Sequence, residues 1–393
     1  MSEVISPGSR RAEQWAATMA GHDGDGMSIR HAHADGHRVV AGGVLFDRVA
    51  REAAERESLS AGATFSDGAG SRAQPEPADR LRTCFERDRD RILHGTTAFR
   101  RLAGKTQVFI FPEDHQRTRL THALEVAQVA TAISGAVGLN VALTEAIALG
   151  HDCGHGPGGH ASEDAFTPFV PGGYDHAVWG ADVVLAPLNL CTETLDGIRN
   201  HSWSRPTPST PEGEVVSWAD RIAYVCHDFE DAVHAGIVSP DALPSLVRDH
   251  CGDTRSAQLG TFIGAMIDTI FATGHIAMDE PTAAALAEFR RFNYERIYMR
   301  PASVTQSEVV IRMLRALVEY YADRPNTLAF ETPPADESPA FAPRRPRPTA
   351  GSAEALHEAV TYVAGMTDRF AFNAAVSHLG WDRSSLPHGV GLR

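Results

Sequence analysis

Apolar residues return at helical intervals along most of this chain. In THALEVAQVATAISGAVGL, residues 121–139, Leu124, Val126, Val129, Ile133 and Val137 form a stripe that closes at Gly138. FERDRDRILHGTTAFRRLA, starting at residue 85, spaces Phe85, Ile92, Leu93, Phe99 and Leu102 in a similar way. The same reading predicts helices at 142–152, 175–186, 191–200, 213–235, 241–250, 258–273, 281–298, 303–322 and 353–377, with a short charged helix at 45–58. Strand signals are few, and TQVFIF, 106–111, is the best. The pattern therefore predicts an all-α fold with few short strands.

The spaces between helices suggest the organisation. Residues 1–44 are rich in Gly, His and Asp without periodicity, so 1–78 reads as a tail with one short helix. The tail's His22, His31, His33 and His37 read as parts of a mobile segment rather than as a built metal site. A core is expected over 79–330, a Pro-rich linker over 331–351 and a last helix packing on the core within 352–393.

Composition narrows the function classes. Hydrophobic residues at 43% and charged residues at 22% suit a globular protein. No run approaches the eighteen or so apolar residues of a membrane span, so no membrane partner is expected. The first residues, MSEVISPGSRRAEQW, lack an apolar signal core. Five scattered cysteines without a CxxC pair read as reduced thiols, and the expected location is cytoplasmic. A net charge of −14 argues against general nucleic-acid affinity. Against it stands an arginine cluster at 80–105, which also holds Lys105, the only lysine. That cluster is either a solvated, charge-alternating helix or a local anion site.

The chemistry concentrates in HDCGHGPGGHASE, residues 151–163, with three histidines, an aspartate and a glutamate between glycines. Other catalytic signatures fail. LAGKT lacks the first glycine of a phosphate-binding P-loop, HEAVT lacks the second histidine of a zincin, and no Gly-x-Ser-x-Gly elbow occurs. A metal constellation remains. His151 and Asp152 diverge by about 100° on a helix, yet both can reach one ion between them. His122 and Asp220 offer further ligands at helical positions. Two imidazoles and two carboxylates suit Mn²⁺, Fe²⁺, Zn²⁺ or Mg²⁺ and leave positions for water and phosphate oxygens. Each residue also has a plain alternative: a buried structural histidine, a helix surface pair, a helix cap.

The order His122, His151-Asp152, Asp220 resembles that of the HD superfamily of metal-dependent phosphohydrolases. The blocks FERDRDRILHGTTAFRRLAGKTQVF, RTRLTHALEVAQVA, ALGHDCGHGPGGHASE, LNLCTETLDGIRNH, ADRIAYVCHDFEDAVHAGIV, YERIYMRPA and VTYVAGMTDRFA resemble, in order, those of its bacterial dGTPase-like deoxynucleoside triphosphate triphosphohydrolases. The resemblance spans about residues 80–375. It implies an HD-domain helical fold and hydrolysis of a dNTP to the deoxynucleoside and inorganic triphosphate.

By the same resemblance His122, His151, Asp152 and Asp220 bind a divalent ion, Mn²⁺ first among the candidates. His160 and Glu163 form the catalytic dyad; three residues apart on a starting helix, they can touch. Arg119, Arg221, His155 and His176 face the phosphates. Gln107, Tyr224 and Asp228 read the sugar, and the spacing of Tyr224 and Asp228 puts them on one helix face with Asp220. The arginine cluster gains a partner in substrate or effector dNTP, with single-stranded nucleic acid as a secondary one, and a homo-oligomer is implied. Relatives read HDxGHPPFGHxGE where this chain has HDCGHGPGGHASE, a change expected to loosen the loop that holds His160. After His176, HAVWGADVV stands where relatives carry an HNxQSLRVV-like stretch. Two alternatives stay open: an HD enzyme for monophosphates or cyclic nucleotides, and a dNTP-binding regulator without turnover.

Overall fold

A computed structural model describes residues 9–18, 20–23, 28–36, 38–40, 42–108, 116–328 and 347–387. The chain divides into two compact units, Met1–Phe46 and Asp47–Arg393. The first holds α1 (Arg10–Thr18) and a two-stranded antiparallel hairpin pairing His22–Asp23 with Arg30–His31. That hairpin is the only sheet among the described residues, and the fold is all-α.

The larger unit begins earlier than the expected boundary at residue 79. Asp47 caps α2 (Arg48–Ser58) by accepting from the Ala50 amide. The segment after α2 is bound into the core by buried polar contacts. Glu212 accepts from the Thr64 amide, the Thr64 hydroxyl and the Asn140 amide. Arg72 reaches the fully buried Asp88 at 2.6 Å, and Asp88 also accepts from the Cys191 amide and the Thr194 hydroxyl.

Local sequence explains most helix starts. A capping box of Thr83 and Glu86 opens α3 (Cys84–His94), and the chain breaks at Gly95 before α4 (Thr97–Arg101). Thr118 caps α5 (Arg119–Ala136), and Gly138 in the left-handed region turns the chain into Asn140, the cap of α6 (Val141–Gly150). Then follow α7 (His160–Phe166), α8 (His176–Trp179) running into a π turn at Gly180–Val184, α9 (Thr192–Asn200) and α10 (Pro211–His234). Pro240 and Pro244 delay the helix expected at 241 until α11 (Ser245–Cys251). After α12 (Arg255–Thr273), α13 (Glu280–Asn293) passes into a π turn at Tyr294–Tyr298, and α14 (Pro301–Asp323) completes the run. The expected single helix at 353–377 is two, α15 (Ala353–Ala364) and α16 (Asp368–Leu379), because Thr367 caps a new start.

Two further expectations change. Leu124 is half exposed; α5 instead buries Ala123, Val126, Ala127, Val129, Ala130 and Ile133 against α6 and α10. In TQVFIF only Thr106 makes a bridge, to Thr118, and residues 109–111 lie outside the described ones. Most of the 331–351 linker, and His37, lie outside them too. No described helix is long and apolar enough to cross a membrane.

Two apolar clusters result. One gathers α3, α5, α6, α10, α12 and α13; the other gathers α7, α14, α15 and α16. Lys105 ties the second to the glycine-rich loop by donating to the carbonyls of His155 and Ala364. Asp368 adds a second tie, accepting from the Gly158 amide, the Thr106 amide and the Thr106 hydroxyl.

Asp88→Ala leaves Glu76, 2.8 Å away, as the remaining countercharge of the buried Arg72 guanidinium, and leaves the Cys191 amide and Thr194 hydroxyl without their acceptor. Unfolding free energy in urea is expected to fall by about 2–5 kcal/mol; an unchanged midpoint would mean that Glu76 and water satisfy these groups.

Candidate metal centre and substrate cleft

Three helices and the turn after α6 deliver the ligand-type side chains. Arg119 opens α5 and His122 lies one turn later on the same face. His151 follows the last residue of α6, and Asp152 begins the turn beyond it. Asp220 comes from the middle of α10. Glycines let the helices close in: a Cβ on Gly197 would lie 2.4 Å from Ile147, and one on Gly150 would lie 2.6 Å from Ile198.

The structure brings all four expected ligands together. His122 Nε2 is 3.0 Å from Asp220 Oδ1, His151 Nε2 is 3.8 Å from the same oxygen, and His151 Nε2 is 3.5 Å from Asp152 Oδ1. His151 Nδ1 lies 2.6 Å from the Ala148 carbonyl, which can only accept, so Nδ1 carries the proton. The buried Nε2 lone pair then has no hydrogen-bond partner and faces a group with His122 and Asp220. An unsatisfied lone pair among acidic oxygens is what a divalent cation would fill, so these residues fit such an ion.

Electrostatics agree. Burial opposes charge on Asp152, but the Arg119 guanidinium, His151 and His155 outweigh it and hold the carboxylate well below its usual range. Burial likewise opposes charge on Asp220, and the His122 hydrogen bond with nearby histidines holds it low. Both stay ionised at neutral pH, as metal ligation needs.

The glycine-rich loop is held by several polar ties. Besides Lys105 and Asp368, Tyr174 Oη donates to the Gly154 carbonyl at 2.6 Å and the Gly156 amide donates to Ser162 Oγ. Gly158 and Gly159 both have positive φ, and a Cβ on either would meet Val310 or Arg119 within 2.7 Å. Only glycine fits there.

Next to the ligands, His160 faces the cavity, and the expected contact with Glu163 is absent from the described hydrogen bonds. Glu163 instead accepts from the His176 amide at 3.0 Å and binds His176 Nδ1 at 2.5 Å. Helix α7 aims Glu163 across to the start of α8, where Asp175 caps the helix. The consequence is a split in basicity. Limited hydration and the Arg119 guanidinium lower the His160 pKa. Burial also disfavours charge on His176, but Glu163 overrides it and raises the pKa.

One cavity of about 450 Å³ joins this cluster to Gln107, Tyr224, Asp228 and an outer wall of Trp203, Arg221, Arg290 and Tyr298. Tyr298 donates to Asp228 at 2.5 Å, and Arg290 donates to Tyr224 Oη at 2.8 Å. Arg221 stacks over the Trp203 ring, 3.8 Å from its centroid. The second π turn brings Tyr294 and Tyr298 into this wall.

Residues 119–225 match the HD domain, and residues 276–376 match the phosphohydrolase-associated domain. A deoxyguanosinetriphosphate triphosphohydrolase-like protein of Caldanaerobacter subterraneus is 38% identical over 81% of this chain and 92% of its own length. One of Clostridium perfringens is 38% identical over 81% and 93%. The chain belongs to this HD-domain family. A crystal structure of a hypothetical protein from Aquifex aeolicus overlaps 58% of the chain and 60% of its own, but at 18% identity and a TM-score of 0.42 it is too distant to bear on the fold.

Within this HD-family phosphohydrolase, three expected phosphate contacts are engaged inside the protein. Arg119 is fully buried; it reaches Asp152 Oδ2 at 2.6 Å and the Gln107 carbonyl at 3.3 Å. His155 lies 3.2 Å from Asp152 and stacks on His176 at 3.7 Å between centroids. Much of the arginine cluster is also compensated: Arg82 pairs with Asp79 and Asp90, Arg87 and Arg91 with Glu76, and Arg89 with Asp90 and Glu145. Lys105 is buried on backbone carbonyls. These partners are spread over residues 76–145, too dispersed for the sequence to announce. Sequence reading also missed His201, Trp203, Arg290 and Tyr298. The block LNLCTETLDGIRNH ends on His201, and that placement was the available signal.

Asp228 supplies a pH prediction. Burial raises its pKa to about 7 despite the Tyr298 hydrogen bond. The folded state therefore holds a proton that the unfolded chain releases near pH 4, so stability declines as pH rises through pH 4–7. Asp228→Asn removes that decline: its stability gain over the wild type should grow from pH 4 to 7 and then level off in urea titrations. A gain independent of pH would contradict the raised pKa.

Proposed function

We propose that the protein hydrolyses deoxynucleoside triphosphates to the deoxynucleoside and inorganic triphosphate, with Mn²⁺ as the preferred ion. The observation that carries the reading is the single cavity in which Asp152, Asp220, His122 and His160 share walls with Gln107, Tyr224 and Asp228. Its volume suits one nucleotide. The names of the 38%-identical relatives support the same substrate class.

His122, His151, Asp152 and Asp220 would hold the ion, which when bound draws charge from phosphate oxygens and lowers the pKa of water. Arg119 keeps Asp152 ionised and close. The lowered pKa of His160 leaves a neutral imidazole facing the cavity, suited to accept a proton from attacking water. Glu163 favours the protonated form of His176, suited to donate to the leaving 5′-oxygen as the bond to the α-phosphorus breaks. Tyr224 and Asp228, one helical turn apart, offer a donor and an acceptor to a sugar hydroxyl, and Gln107 Oε1 is buried without a partner.

Purified protein with Mn²⁺ and each dNTP should release deoxynucleoside and intact triphosphate, read by anion-exchange chromatography. Monophosphate plus pyrophosphate would overturn the cleavage position, and absence of turnover with dNTP bound would favour a regulator. Asp152→Ala should lose ion binding and turnover together. His160→Ala should keep ion and dNTP binding while turnover drops about a hundredfold or more; undiminished turnover would remove His160 from the mechanism.

A further inference from the structure

His201 repeats the construction of His151. Each follows the last residue of a helix, α9 for His201 and α6 for His151. Each directs Nδ1 at the carbonyl three residues earlier, His201 to Ile198 at 2.8 Å and His151 to Ala148 at 2.6 Å. Those carbonyls can only accept, so both Nδ1 atoms carry the proton and both Nε2 atoms present lone pairs. The Gly150–Ile198 and Gly197–Ile147 approaches press the two helix ends together, with ring centroids 5.0 Å apart. One ligand atom each from His151, Asp152 and His201 lies within 4.8 Å of the others, and all three residues are buried.

We propose that His201 is a third imidazole ligand of the ion held by His122, His151, Asp152 and Asp220. The inference rests on the reading of that cluster as a metal centre. Ligand atoms bonded at about 2.1 Å to one ion sit roughly 3–4.2 Å apart, so relative to His151 and Asp152, whose ligand atoms lie within 4.8 Å of its own, His201 needs little movement to join. Its present neighbour is His176 Nε2 at 3.3 Å, a contact that ligation of the ion would replace, while the Ile198 carbonyl keeps Nδ1 protonated and Nε2 as the ligating atom. Three imidazoles and two carboxylates form a nitrogen-rich set that favours a divalent transition ion over Mg²⁺, which prefers oxygen.

The test uses the full chain stripped by a chelator and reloaded with one equivalent of Zn²⁺ or Mn²⁺. X-ray absorption at the metal edge counts imidazoles, and competition with a fluorescent chelator gives the ion Kd. The wild type should show three imidazoles. His201→Gln and His201→Ala should show two and bind the ion at least about tenfold more weakly, the lower end of what losing an outer partner does. Their discrimination against Mg²⁺ should shrink as well. Two imidazoles in the wild type, or an unchanged count and Kd in the variants, would overturn the assignment. If neither variant folds, by circular dichroism of the ion-free protein, the wild-type count alone decides against the proposal at two and for it at three. Failure of the wild type to bind one ion at all would instead overturn the metal centre itself.

Discussion

Asp152 is the charge around which the site is arranged. A buried carboxylate is costly unless the protein supplies countercharge and donors. Arg119 supplies the countercharge from one side, and the rings of His151, His155 and His176 lie within 3.9 Å on the others. Arg119 is consequently a structural partner of the centre before it can be anything else. The same demand explains why α5, α6 and α10 pack so closely: each contributes, at or near the centre, a group that would be unstable there alone.

The centre also sits at a junction. His122, His151 and Asp220 stand on helices of the first apolar cluster, whereas α7, which carries His160 and Glu163, packs with the second. Their mutual placement depends on a short list of polar ties. Lys105 and Asp368 join the loop at 155–158 to the α15–α16 turn, and Tyr174 pins it from the other side. Buried polar ties of this kind are direction-specific in a way that apolar packing is not. They hold a loop whose glycines would otherwise leave it too free.

Much of this was legible along the chain. Helical periodicity located nearly every element because amphipathic stripes are local, and Thr118, Asn140 and Thr210 announce their helices in the usual way. His122, His151, Asp152 and Asp220 stood out because ligand-type residues in apolar helices are conspicuous. Errors fell where a break depends on a neighbour. The π turns at Gly180 and Tyr294 and the division at Thr367 leave little trace in periodicity. Leu124 turned outward because small alanines let α6 and α10 approach the opposite face of α5.

The sequence by itself determined the helical class and the types and order of the candidate ligand residues, since those follow from local spacing and side-chain chemistry. Only the tertiary structure decided the partners. Glu163 turned to His176 because the start of α8 presents both an amide and an imidazole to it, whereas the family resemblance paired it with His160. Arg82, Arg87, Arg89 and Arg91 were neutralised by acids spread over residues 76–145. His201 reached the centre because two glycines let α6 and α9 touch. Pairing in a low-dielectric interior is settled by three-dimensional proximity, and linear spacing does not encode it.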